Sequence, residues 1–223
     1  MAKYKLFSFE KISSTQTYAH DMINSGRATD HVAIVARAQS AGRGRYRRTW
    51  VSHHGNLYVS FIFSSPTRDS RVSYAVAVAV AETLAEFGCS PQIKWPNDIL
   101  IDGAKVSGIL IEYVGEFVVV GIGINIHSNP TVSASYKTTR MDKFAPDIKV
   151  ADVLTILMQK LDTWRASNFD AVRNAWMARA VGLNQTVQYR GAPATLVEIR
   201  SDGALMLMRD GVPMAVYGDE ISM

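Results

Sequence analysis

The sequence predicts an α+β protein, with helices packed on a sheet and a small all-strand unit after them. Three observations carry that prediction. Short runs rich in β-branched and aromatic residues recur from His31 to Ile126, and large apolar residues return at helical spacing between Leu154 and Trp176. After Gly182 only short strand-like runs remain, parted by Gly, Asp and Pro. With 223 residues, 48% of them hydrophobic, the chain can bury a full core.

Along the chain, Ser14 or Ser13 can cap a short helix that Gly26 ends, since a side-chain oxygen satisfies the first free amides and glycine takes the left-handed ending cheaply. HVAIVARAQ (31–39) and NLYVSFIF (56–63) read as strands joined by an arginine-bearing loop. RVSYAVAVAVAETLAEFG (71–88) alternates Ala and Val like a strand in its middle, but its length, alanine content and Gly88 stop favour helix. From Ile93 come short strands, IKW, DIL, KVSGILIEYV and EFVVVGIGINI, the last two split by Gly115 and Glu116 as a tight hairpin. Residues 127–149, with few aliphatics, read as a loop.

Leu154, Leu157, Met158, Leu161 and Trp164 mark a helix, and Phe169, Val172 and Trp176 a second one; both are read as faces lying on the sheet. TVQYR, APATLVEIRS, GALMLMRD and VPMAVYGDEIS complete the strand-only tail, with turns at Ser201-Asp202-Gly203 and Arg209-Asp210-Gly211. This tail is too short for an independent core and should pack on the larger unit. The division is set at 1–181 and 182–223.

Cys89 is the only cysteine, so an intrachain disulfide is excluded, and its place after Gly88 suits a small core residue better than a nucleophile. MAKYKLFSFEK lacks the apolar core of a signal peptide, and the longest apolar runs, 75–81 and 117–124, are too short to span a bilayer. These features point to the cytoplasm and away from a membrane.

Charge is local. The 24 Lys and Arg exceed the 20 Asp and Glu by four, the number of arginines (Arg43, Arg45, Arg47 and Arg48) in the loop AGRGRYRRTW. A surplus gathered on one glycine-bearing loop suits a compact anion better than a polyanion spread over a face. Gly42 and Gly44 let backbone amides approach a ligand, and the guanidinium groups supply forked donors. Because they repel one another, the loop is expected to be mobile when empty and to fold over an anion. The alternative is a solvated basic hairpin tip.

Known phosphate loops are absent. There is no G-x-x-x-x-G-K-[ST], and Gly42-Arg43-Gly44 and Gly121-Ile122-Gly123 both miss the third glycine of a dinucleotide fingerprint, at Arg47 and Ile126. KWPND (94–98) offers Lys94, Asn97 and Asp98 around a proline bend, and KVSGILIE (105–112) sets Lys105 ahead of Gly108, where a ligand can come close to a strand. His53 and His54 read as loop residues and His127 as a surface residue near the nucleotide side.

Taken together, SSTQ (13–16), QSAGRGRYRRTW (39–50), NLYVSF (56–61), KWPNDIL (94–100), KVSGILIE (105–112) and GIGINI (121–126) resemble the biotin protein ligase family in order and spacing along most of the chain. The resemblance implies a mixed, largely antiparallel sheet with packed helices, class II synthetase-like, and an SH3-like C-terminal β-barrel. It leaves no room ahead of Ser13 for the DNA-binding domain of bifunctional members, so no DNA binding is expected.

The chemistry implied is two steps. Biotin and MgATP give biotinyl-5′-adenylate, and a lysine of a biotin carboxyl carrier protein then takes the biotin. Carried over by position, Ser14, Thr15, Gln16 and Gln39 line the polar end of the biotin pocket, and Arg43, Gly44 and Arg45 close over biotin and the adenylate phosphate. Arg48 meets the departing pyrophosphate and Trp50 walls the adenine side. Lys105, beside Gly108, holds the biotin carboxylate against the α-phosphate. Lys94, Asn97, Asp98 and Asn125 serve ATP and its Mg²⁺, an ion that takes oxygen ligands. Family members also pair through the sheet, implying a homodimer.

One departure stands out. The family often reads GRGRRGR, whereas Tyr46 and Arg47 here replace Arg-Gly. If that glycine takes a left-handed backbone, Arg47 costs about 1 kcal/mol. Two rival readings stay open: a lipoate or octanoate ligase or transferase, which needs an apolar slot without ureido partners, and a nucleic-acid binder that stacks bases on Tyr46 and Trp50.

Overall fold

The computed structural model describes residues 4–130, 137–219 and 221. Its architecture is α+β, as the sequence predicts. At its centre runs β3 (Leu57–Ser64), buried at every position but the last, which explains its unbroken apolar reading. Leu57, Val59, Phe61 and Phe63 enter one hydrophobic cluster, and Ile62 enters another on the opposite face. β3 pairs antiparallel with β2 (Val32–Gln39) on one side and β7 (Phe117–Ile124) on the other. Beyond β7 come β6 (Ala104–Val114), β5 (Asp98–Ile101) and β4 (Gln92–Lys94).

The other edge is β1 (Lys5–Ile12), which pairs in parallel with β2 and is joined to it through α1 (Thr15–Asn24). The sequence reading did not find β1. No position of the strand is fully buried, so its apolar pattern is dilute.

The two faces are covered differently. α1 lies alone on one face, where Ala19 and Met22 meet Val32, Ile34, Ile62 and Val119. α2 (Val72–Ala85) covers the other and is buried continuously from Tyr74 to Ala81, so it shows no polar side and its Ala-Val alternation carries no helical period. α3 (Val150–Ala166) and α4 (Phe169–Met177) follow. Here the expectation needs correcting: α3 rests mainly on α2, and α4 on α2 and the second sheet, with only a minor contact from α3 to β3. A second layer of helix was needed because α2 is apolar all round and must be covered too.

Cys89 is buried, and burial pushes its thiol pKa up, as fits a core residue. Within 127–149, Met141–Lys143 forms a 3-10 turn that the loop reading did not include. Residues 131–136 of that loop, and the end of the last strand-like run at 220 and 222, lie outside the described residues.

The tail forms a four-stranded antiparallel meander, β8 (Thr186–Tyr189), β9 (Ala192–Ile199), β10 (Leu205–Arg209) and β11 (Val212–Val216). At the tip between β10 and β11, Asp210 and Gly211 have φ of 51° and 76°, the pair of left-handed residues that a tight hairpin requires. Its interior is continuous with the main core. Tyr74 Oη donates to Gly203 O at 2.8 Å, and Tyr74 packs edge-on against Phe169 and Trp176.

Candidate active site

A cavity of about 910 Å³ opens on the α1 side of the sheet. Every residue to which the family resemblance assigns a binding or catalytic role, from Ser14 to Asn125, lines it. Its floor starts at the capped end of α1, where Ser14 Oγ accepts from Thr17 N. Thr15 N donates to Gln39 Oε1 at 2.8 Å, and Gln39 Nε2 donates to Ser52 Oγ at 2.9 Å. Ser60 Oγ donates to Gln16 Oε1 at 2.9 Å and lies 2.9 Å from Thr15 Oγ1. Tyr58 Oη donates to His53 O, and burial pushes the phenol up to about 12, so it stays neutral.

Glycines make the room. An added Cβ at Gly121 would stand 2.5 Å from Gln16 Oε1. Gly108 and Gly123 are cross-strand partners, and a Cβ on either would run into the Trp50 indole, at 2.7 and 2.5 Å. GIGINI is thus a clearance motif for side chains lying on the sheet, a role that its failed dinucleotide reading did not reveal.

On the far wall, Lys105 Nζ lies 2.6 Å from Asp98 Oδ1, both side chains mostly buried, and 5.2 Å from the centre of the Trp50 ring. Asn97 Nδ2 donates to Ile109 O, and its Oδ1 accepts from Arg45 at 3.3 Å. Asn125 is buried and donates to Thr139 O; among the described residues its Oδ1 has no hydrogen-bond partner. Lys94 is on the lining too.

The arginine loop folds back across the rim. Gln39 bridges to Ser52 and Arg43 to Thr49, Trp50 N donates to Gly42 O, and Gly44 N donates to Arg48 O at 2.8 Å. At the tip Tyr46 and Arg47 both take left-handed backbone, φ 53° and 59°. The condition attached to the missing family glycine is therefore met, and two L-residues carry the strain. Arg45 donates to Gly218 O at 2.6 Å and sits 4.9 Å over the Tyr46 ring, and Tyr46 Oη reaches the same carbonyl at 3.3 Å. Arg43 lies apart from this group, its Nη2 2.7 Å from Glu112 Oε1.

Sequence reasoning missed several lining residues. Ser60 was signalled as a small hydroxyl residue among the large apolar and aromatic side chains of a strand. Glu112 stood in a quoted motif without a role. Ile221, buried on the lining, had no local signal because chain folding alone brings it there. His127 is off the lining, 3.6 Å from Asp142. Among the described residues no group of three His, Cys, Asp or Glu is placed to hold a metal.

The arrangement sets neutral donors and acceptors at one end of a cavity, a lysine on its wall and arginines at its rim. The described lining carries no histidine or cysteine, and what it offers chemically is positioning and charge stabilisation.

The model of the biotin/lipoate A/B protein ligase family matches residues 8–129. The chain is 31% identical over 199 residues to the biotin--[acetyl-CoA-carboxylase] ligase of Paracoccus denitrificans, covering 78% of this chain and 82% of the relative. It is 28% identical over 240 residues to the bifunctional ligase/repressor BirA of Bacillus subtilis, covering 98% of this chain and 74% of that one. Among solved structures, the Aquifex aeolicus biotin protein ligase in complex with biotin and ATP superposes with a TM-score of 0.83 at 24% identity, covering 98% of this chain and 97% of the other. The Leishmania major biotin protein ligase in complex with biotinyl-5-AMP gives 0.69 at 25% identity, covering 97% of this chain and 100% of the other.

Proposed function

Since the chain belongs to the biotin/lipoate A/B protein ligase family, we propose that it is the biotin-specific kind, an ATP-dependent biotin protein ligase. The observation that carries this reading is a cavity with a neutral, hydrogen-bonding floor and a cationic wall and rim. A ureido ring needs partners of both polarities; a lipoyl or octanoyl chain has no use for them.

In the first step a biotin carboxylate oxygen attacks the α-phosphorus of MgATP, and pyrophosphate leaves. Lys105, fixed in place by Asp98, stabilises the charge that gathers between carboxylate and phosphate. Arg45 and Arg48 meet the phosphates, and Trp50 bounds the adenine side. Asn97, Asp98 and Asn125 offer side-chain oxygens for the Mg²⁺ carried by the nucleotide. In the second step the uncharged amine of a carrier-domain lysine attacks the biotinyl carbonyl, and AMP departs.

No helix among the described residues is long and apolar enough to cross a membrane. The reading includes a cytoplasmic location, a biotin carboxyl carrier protein as acceptor, no binding of DNA, and pairing of two copies through the sheet, which sedimentation would test. The decisive experiment is exchange of labelled pyrophosphate into ATP. It should require biotin; exchange supported by lipoate or octanoate and not by biotin would move the protein to the other branch of its family.

A further inference from the structure

Glu112 stands on β6 opposite Val119, on the cavity face of the sheet with Gly108 and Leu110. Its two oxygens are committed in different directions. Oε2 accepts from Gln16 Nε2 at 2.9 Å, with His20 Nε2 3.0 Å away but without hydrogen-bond alignment. Oε1 accepts from Arg43 Nη2 at 2.7 Å. One carboxylate therefore touches both the buried floor on α1 and the exposed base of the arginine loop.

Each contact constrains its partner. A carboxylate only accepts, so the amide nitrogen of Gln16 must face it and Oε1 must face Ser60. Gln16 is 3% exposed and passes over Gly121 with no room to spare, which leaves it little freedom to turn. Arg43, for its part, is the first arginine of the loop, and its backbone pairs with Thr49 across the loop's base. Holding its guanidinium therefore anchors the loop at its base.

We propose that Glu112 is a positioning residue of the site: it sets which way the Gln16 amide faces the pocket and, through Arg43, tethers the arginine loop to that floor. The tether stands on contacts within the chain. Only the naming of biotin as the pocket's ligand rests on the ligase reading.

The test is a double-mutant cycle on the ligand-free protein, wild type, Glu112→Gln, Arg43→Gln and the pair, with chymotryptic cleavage after the exposed Tyr46 as the loop readout. Each single change should speed cleavage about fivefold, the upper range for a partly exposed ion pair, with the thermal midpoint held within a degree or so. The double variant should be cut no faster than either single one. By calorimetry Glu112→Gln should weaken biotin about tenfold, because it releases Gln16. Unchanged cleavage in both single variants, or rates that multiply in the double, would overturn the tether. Arg43→Gln, a change at the rim, decides the matter even if Glu112→Gln folds poorly. A wild type that takes no biotin would sink the ligase reading, and the cleavage series would still decide the tether.

Discussion

At the cavity floor Ser14, Thr15 and Gln16 are each under 5% exposed and every one has a hydrogen-bond partner. At the rim, Tyr46 is 59% exposed, two consecutive residues carry left-handed backbone, and Arg45 is held by a carbonyl, an amide and an aromatic ring. The floor is preorganised, so a ligand meets its partners already aimed. The rim is tied by charge-assisted contacts that an anion can replace one for one. On the proposed reading, recognition falls to the hydrogen-bonded floor and closure to the exchangeable contacts of the rim.

Lys105 sits between the two and gives the sharpest way to break the comparison. Lys105→Ala should slow adenylate formation by about 10²–10³ in single-turnover kinetics, as loss of a charge-stabilising group does. It should also cost about 3 kcal/mol of stability by stranding the mostly buried Asp98 carboxylate. Adding Asp98→Asn should restore most of that stability in a denaturant melt and none of the rate. Recovery of both would mean that the pair is structural only.

Next comes the floor. Gly121→Ala puts a Cβ against a Gln16 side chain that Glu112 backs on its other side, so biotin affinity by calorimetry should fall about 10–100-fold. A change under twofold would show that the floor yields. The smallest effect belongs to the rim: Arg47→Gly relieves a left-handed residue at some cost in chain entropy, for a net gain of about 0.5 kcal/mol and a midpoint about 1–2 °C higher. A lower midpoint would mean that the Arg47 side chain holds the loop.

Much of this was legible because local chemistry dictated it. Ser14 as a cap, the turn at Gly115 and Glu116, and the tail's meander are decided within a few residues. The site residues were legible as a set, since motif order carried them, and all of them reach one cavity; their individual roles remain those proposed above. What stayed hidden depends on partners distant in sequence. β1 is half-exposed and shows no clean period, α3 lies on a helix because α2 is apolar on every side, and Ile221 reaches the cavity only through folding. The glycines of GIGINI make sense only once Gln16 and Trp50 are seen lying across them.

That last arrangement matters to anyone redesigning the protein. The indole rests on two facing residues that contribute backbone alone, so cutting Trp50 back to alanine would expose a flat bay with no side chains in its base. A bulkier acid or a substituted nucleotide could be admitted there without disturbing the polar contacts around Gln16. Filling the bay from below, with alanine at 108 or 123, would instead evict the indole, so these three positions have to be varied as one unit.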